Sequence, residues 1–292
     1  MTNQAKAYIY AIAAVLMWST VATAFKLTLE TLDVIQMLFY ACLVSALVLL
    51  TAVGFLGRLG ELPVAAKSEW RITLIAGLLN PCIYYLILFE AYDRLPAQVA
   101  QPINYTWAIV LAFMSVIFLR QKIHRFDFLA AGICYSGVFL IATQGDITDF
   151  SETDPLGLAL ALVSTLVWAG YWVINIRDRR EPIIAMSLNF LLALPVVGVL
   201  CLLFSDFAIT WEGFAGAAYI GVFEMSLAFL CWSIALRNTD NAATIGNLIF
   251  LAPFLSLLLI HLVLGEQIYS TTYAGLILII SGLLLQQWFR KN

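Results

Sequence analysis

The chain has 292 residues, 63% of them hydrophobic and only 11% charged, with a mean hydropathy of +0.94. An ordinary soluble domain is roughly 45–50% apolar and about 25% charged, and so few charges do not supply the polar surface that a globular protein of this length shows to water. A net charge of −3 carries no signature of a nucleic-acid partner, so the expected surroundings are a lipid bilayer.

Crossing the hydrocarbon takes about 20 apolar residues in a helix, and clusters of charge punctuate the sequence at about that spacing. Ten segments result, at 7–27, 34–56, 70–90, 96–119, 126–144, 155–176, 183–204, 213–235, 242–264 and 270–289. Backbone groups in lipid must be satisfied within the segment, so each is expected to be a helix. The tail Met1–Lys6 is short and no A-x-A site precedes the first apolar run, so that run reads as a retained helix and not a signal peptide. The five cysteines Cys42, Cys82, Cys134, Cys201 and Cys231 fall inside apolar stretches without a C-x-x-C or a neighbouring His. They read as small buried hydrophobes, and no metal or cofactor is expected.

The basic residues set the orientation. Lys6, then Arg58, Lys67 and Arg71, then Arg120, Lys122 and Arg125, then Arg177, Arg179 and Arg180, then Arg237, then Arg290 and Lys291 all fall on the N-terminal side or in every second connection after it. Lys26 and Arg94 alone fall on the other side. This asymmetry is a positive-inside signal that puts both termini in the cytoplasm of a multi-pass protein of the plasma (inner) membrane. The connector 146–154 lies on the opposite face, carries Asp146, Asp149, Glu152 and Asp154 with no Lys or Arg, and falls at the middle of the chain.

That connector separates two related halves, residues 1–145 and 155–292. At an offset of 150, Trp18-Ser19 meets Trp168-Ala169; at an offset of 144, Gly77-Leu-Leu-Asn80 meets Gly221-Val-Phe-Glu224, and Lys122 falls on Glu266. Five helices per copy is an odd number, so the second copy is expected to sit upside down relative to the first. The fold class expected is all-α: ten transmembrane helices as two inverted five-helix repeats around a central cavity, the architecture of many secondary transporters.

Polar side chains inside lipid are costly and mark function by default. Glu224 and its repeat counterpart Asn80 lie deep in their segments, Asn80 followed by the helix-breaking Pro81. Trp18 and Trp168 are also near mid-span. With the neighbouring Tyr84, Gln101, Tyr105, Tyr171 and Asn247, these residues form the expected substrate-binding set. Glu224, Glu90 and His261 are the groups expected to titrate if transport is coupled to protons. Gln98 and Asn104 share the polar face of Gln101, and Gly275 and Gly282 are placed to let the last helix pack closely.

The stretch Ala235-Leu-Arg-Asn-Thr-Asp-Asn-Ala-Ala-Thr, with Pro253 and Leu264-Gly265-Glu266-Gln267 beyond it and a Trp mid-way along the first segment, resembles the repeat signature of the EamA branch of the drug/metabolite transporter superfamily. The first copy has Arg120-Gln121-Lys122 where the second has Leu264-Gly265-Glu266, and Ile109 where the second has Pro253. The resemblance, closest to aromatic amino-acid exporters, implies export of small metabolites by alternating access, with neutral and aromatic amino acids as cargo. A multidrug or organic-cation exporter is the alternative within the superfamily, and a receptor or scaffold the alternative outside it. An enzyme is not expected, because no mid-span Asp pair, H-E-x-x-H or Ser/His pair is available for catalysis. The orientation is checked by fusing alkaline phosphatase after Thr148, where it should be active, and after Asn292, where it should be inactive; the reverse pattern overturns it.

Overall fold

All ten segments are helical in the computed structural model, which describes residues 2–120, 122–144, 153–240 and 242–291. The ten helices long and apolar enough to cross a membrane are α1 (Asn3–Leu29), α2 (Val34–Phe55), α3 (Trp70–Arg94), α4 (Ala97–Leu119), α5 (Arg125–Ala142), α6 (Pro155–Arg177), α7 (Pro182–Phe204), α8 (Trp211–Asn238), α9 (Ile245–Leu264) and α10 (Ser270–Phe289). A short helix, Glu61–Ser68, precedes α3. Among the described residues there is no strand. Most of the acidic connector lies outside the described residues, as do Gln121 and the side chains of Arg290 and Lys291.

The chain forms two compact units, and these do not follow the two sequence halves. One is Met1–Leu86 with Asp178–Leu259, and the other is Ile87–Arg177 with Ile260–Asn292. Each therefore draws helices from both halves, so a sequence repeat here is not a packing unit.

In the first unit, two helix pairs approach closely in matching ways. A Cβ on Gly77 of α3 would stand 2.9 Å from the Asn189 carbonyl oxygen of α7, and one on Gly221 of α8 would stand 2.5 Å from the Ala41 carbonyl oxygen of α2. Further along, Cys82 Sγ donates to the Ala193 carbonyl at 3.8 Å, and Ser226 Oγ meets Ser45 Oγ at 2.7 Å. Gly77 and Cys82 map onto Gly221 and Ser226 at the offset of 144, while Ala41 and Ser45 map onto Asn189 and Ala193 at an offset of 148. The α3–α7 contact is thus the counterpart of the α8–α2 contact.

The second unit has its own reciprocal pair. A Cβ on Gly137 of α5 would sit 2.4 Å from the Gly275 carbonyl oxygen of α10, and one on Gly275 would sit 2.5 Å from the Gly137 oxygen. Ile279 flanks the first contact and Ile141 the second. Cys134 Sγ donates to the Ile279 carbonyl at 3.2 Å, and Gln286 Nε2 to Asp127 Oδ1 at 3.1 Å. Small residues let backbones touch where lipid tails give helices no hydrophobic reason to associate.

Alternate connections meet within each unit, as successive membrane crossings require. In the first unit Asp33 caps α2, accepting from the amides of Ile35 at 2.8 Å and Gln36 at 2.9 Å, and is bonded by Ser205. Gln36 Nε2 reaches Asp206 Oδ1 at 2.7 Å, so the α1–α2 turn is tied to the α7–α8 turn. At the other ends of these helices, Glu181 pairs with Arg237 and, at 3.5 Å, with Arg58, while the buried Arg180–Asp178 pair (2.6 Å) also donates to Thr73 Oγ1 at 2.6 Å. In the second unit Asp154 caps α6 through Leu156 and Gly157 and lies 3.5 Å from Arg94, which also holds Glu90 at 2.7 Å. The Glu266 carboxylate caps α4 in the same way, accepting from Ala97 N at 2.9 Å and Gln98 N at 3.2 Å, where the helix dipole favours negative charge.

Two outcomes are expected. Gly137→Val forces the α5 and α10 backbones apart and should cost about 1–3 kcal/mol, read as a lower melting temperature in detergent; an unchanged melt contradicts the close approach. Arg237, and less strongly Arg58, hold the Glu181 carboxyl below the usual carboxylate range. A depressed folded-state value stabilises above the unfolded value of about 4.3, and that contribution is lost as pH falls through the folded value. Glu181→Gln should therefore lower stability by a constant amount at neutral pH, and the difference from the unsubstituted protein should vanish as pH falls through the folded value, flattening the acid limb of the stability–pH curve.

Candidate functional site

The first unit owes its polar interior to a break in α3. Pro81 has no N–H to give the Gly77 carbonyl, and the residue before a proline is pushed toward extended backbone. Asn80 accordingly has φ −139° and ψ 115° in the middle of the helix. Its side chain is buried, and its Oδ1 has no hydrogen-bond partner among the described residues. On α7, Asn189 is likewise buried with Oδ1 unpartnered. On α8, Glu224 is buried within a π-helical stretch, Ile220–Leu227, of the kind found at functional sites. Tyr85 of α3 donates its hydroxyl to Glu224 Oε1 at 3.1 Å, and Oε2 has no partner among the described residues.

These three acceptors share a depth. Asn80 is 14 residues from Arg94, Asn189 is 15 from Phe204, and Glu224 is 13 from Trp211, or about 20 Å from the same face at 1.5 Å per residue. Thr23 of α1 and Ser256 of α9 are also buried and unpartnered at their hydroxyl oxygens. A buried polar atom left unpaired costs about 1–3 kcal/mol, so a set of them calls for an explanation beyond packing.

Aromatic rings complete this unit. Trp18, half-buried, packs edge-on to Phe229 at 5.4 Å and tilted to Trp232 at 5.5 Å. Tyr84 is buried with its ring 4.9 Å from that of Tyr85. Asn247 is exposed where the first turns of α9 tighten.

The second unit holds the remaining expected residues. Trp168 and Tyr171 are buried and stacked at 5.4 Å. Trp168 stands edge-on to Trp107 at 6.4 Å and to Trp172 at 6.0 Å, and the last two are near-parallel at 6.1 Å. These separations are those of direct ring packing. Gln101 of α4 is buried with Oε1 unpartnered, and so is the indole nitrogen of Trp172. Tyr105 is half-buried at the end of the first turns of α4.

Two neighbours of Gln101 are held in place. Asn104 Nδ2 donates to Ser164 Oγ of α6 at 2.9 Å. Gln98 donates to the Gln267 carbonyl at 2.8 Å and accepts from Tyr269 N and Thr272 Oγ1, both at 3.1 Å. Of the titratable candidates, Glu90 is engaged by Arg94, and exposed His261 places Nδ1 2.9 Å from the Glu266 carbonyl oxygen.

Sequence reasoning missed Asn189, Tyr85 and Trp107. Asn189 carried a usable signal, being a carboxamide well inside the seventh apolar segment. Tyr85 and Trp107 are single aromatics among many, and only their contacts distinguish them.

The comparisons with known proteins bear on what such sites serve. The family model described as the EamA-like transporter family matches residues 5–143 and again 155–286. An uncharacterized transporter of Clostridium kluyveri is 24% identical, with 98% of this chain and 94% of that protein aligned. The aromatic amino acid exporter YddG of Ancylobacter novellus is 25% identical over 66% of this chain and 68% of its own. A UDP-N-acetylglucosamine/UDP-N-acetylgalactosamine transporter of Caenorhabditis elegans, nstp-4, is 27% identical over 75% of this chain and 71% of its own. With both halves of the sequence matched, the chain belongs to the EamA-like transporter family.

Proposed function

We propose that this transporter exports aromatic and neutral amino acids across the plasma membrane by alternating access, the termini lying in the cytoplasm. The observation that carries the proposal is the row of buried, unpaired acceptors at one depth on α3, α7 and α8. A zwitterionic amino acid brings the ammonium donors that such oxygens lack. In the first unit the indole of Trp18 and the phenol of Tyr84 offer faces suited to an aromatic side chain, and the second unit has its own such pair in Trp168 and Tyr171. In the second unit Gln101 and Tyr105 are the polar groups beside Trp168 and Tyr171, and Asn247 at the start of α9 is the outlying member of the first unit's set. The amino-acid exporter among the relatives favours the same cargo.

Alternating access draws on the repeat. The contact of α3 with α7 is matched by that of α8 with α2, and Gly137 and Gly275 exchange places across their own contact. Such reciprocity is what two inverted five-helix copies, 1–145 and 155–292, produce, and it gives the protein two related arrangements to alternate between. For coupling, Glu224 is the remaining proton carrier, since Glu90 and His261 are engaged at helix ends.

A nucleotide-sugar cargo fits less well. A diphosphate wants fixed Arg or Lys, and among the described residues the buried arginine Arg180 is committed to Asp178 and Thr73 near the start of α7.

The test is uptake of radiolabelled tryptophan, phenylalanine and threonine into liposomes holding the purified protein. Flux at least several-fold above empty liposomes is expected for tryptophan and phenylalanine, falling at least tenfold in Glu224→Gln under a pH gradient. Flux of a quaternary cation with none of an amino acid would overturn the cargo assignment, and equal flux by Glu224→Gln would remove its coupling role.

A further inference from the structure

The three unpaired oxygens define more than a polar interior. Asn80 lies between two places where α3 touches α7, at Gly77 with Asn189 and at Cys82 with Ala193. Tyr85, further along α3, reaches across to Glu224 of α8 and fixes one carboxylate oxygen, so that the other is left free of partners. Counted along their helices, Asn80, Asn189 and Glu224 lie at similar depths in the first unit, and their Oδ1, Oδ1 and Oε2 atoms are unpartnered among the described residues, each on a side chain at least nine-tenths buried.

The chemistry of the set restricts its ligand. With Glu224 ionised all three atoms are acceptors and one belongs to a carboxylate, so in that state an anion is excluded and a neutral donor would leave the charge uncompensated. The first unit holds no histidine, and its basic residues are Lys6, Lys26, Arg58, Lys67, Arg71, Arg179, Arg180 and Arg237, none within the middle turns of a membrane-crossing helix. A divalent cation takes six or more oxygen ligands, and here it would find one carboxylate and two neutral carboxamide oxygens. A quaternary ammonium has no N–H to offer three oxygens. A primary ammonium has three N–H donors for three acceptors, and a sodium ion is likewise a hard cation that takes oxygen ligands.

We propose that Asn80, Asn189 and Glu224 form a binding site for a compact monovalent cation, supplied either as the primary ammonium of the cargo or as a sodium ion. Asn189 is the ligand that the sequence did not single out. The ammonium source rests on the transport reading above, whereas the sodium source does not.

The experiment is a melting titration of the purified full-length protein in detergent with sodium chloride, methylammonium chloride and tetramethylammonium chloride at constant ionic strength. A saturable rise with sodium assigns the ion source, and one with methylammonium alone assigns the cargo's ammonium; tetramethylammonium should give no saturable response. Asn189→Leu should weaken the binding at least tenfold, while Asn189→Asp, which keeps the oxygen, should hold it. Glu224→Gln, which keeps the shape and removes the charge, should weaken it comparably and serves if the position 189 variants do not melt cooperatively. The proposal is overturned if neither small cation binds, if tetramethylammonium binds as well as they do, or if the leucine and aspartate variants behave alike. The readout needs no flux, so a protein that binds the cation but moves no amino acid refutes the transport reading and leaves the site standing.

Discussion

In hydrocarbon no water completes a hydrogen bond, so each polar group must find its partner within the protein or be left at a cost. The architecture follows from this constraint. Ten apolar stretches become helices because only there does the backbone satisfy itself, and charged side chains are pushed to the helix ends, where they serve the turns. Asp33, Asp154 and Glu266 cap α2, α6 and α4, and Glu181 gathers two arginines from two different connections. Against that discipline, Asn80, Asn189, Glu224 and Gln101 are departures. In a chain so sparing with polar groups, an unpaired one at mid-depth is the place to look for a ligand.

Helix association in this protein rests on closeness of backbone more than on large side chains. At Gly77, Gly137, Gly221 and Gly275 the facing carbonyl stands nearer than any Cβ would tolerate. These contacts come in counterparts related by sequence offset, which ties the packing to the duplication. They also explain why the compact units cut across the halves: the partner that a helix fits best belongs to the other copy, as α3 fits α7 and α8 fits α2.

Much of this was legible in the sequence. The helices were found because about 20 apolar residues is a long and unmistakable signal, and structural bounds differ from expectation mainly at the ends, α3 running to Arg94 and α8 to Asn238. The packing glycines Gly275 and Gly282 of the last helix were also read correctly, for they meet Gly137 and Cys134. The polar groups were only partly sorted. Depth alone marked Asn80 and Glu224, but depth does not distinguish Gln101 from its neighbours. Gln98 and Asn104 look the same in sequence, yet one is fastened to the α9–α10 turn and the other to Ser164. Asn189 showed as a carboxamide inside an apolar segment but no repeat register marked it, because α2 and α7 correspond at an offset of 148, between the two registers that the sequence displays; Tyr85 was hidden because its role depends on reaching another helix. The carboxylate of Glu266 shows why the Gly-Glu turn belongs to the second copy: it caps α4, a task that Lys122 in the first copy has the wrong charge to perform.

The central claim is that the unpaired oxygens are kept for a ligand at the expense of stability. Asn189→Leu, nearly the same shape without the polar atoms, tests it most directly through paired measurements of melting temperature and of affinity for the small cation, sodium or methylammonium, on one preparation. A melting temperature equal to or above that of the unsubstituted protein, with affinity at least tenfold weaker, is the expected result. A lower melting temperature with affinity unchanged would show that the carboxamide is structural and would contradict the site.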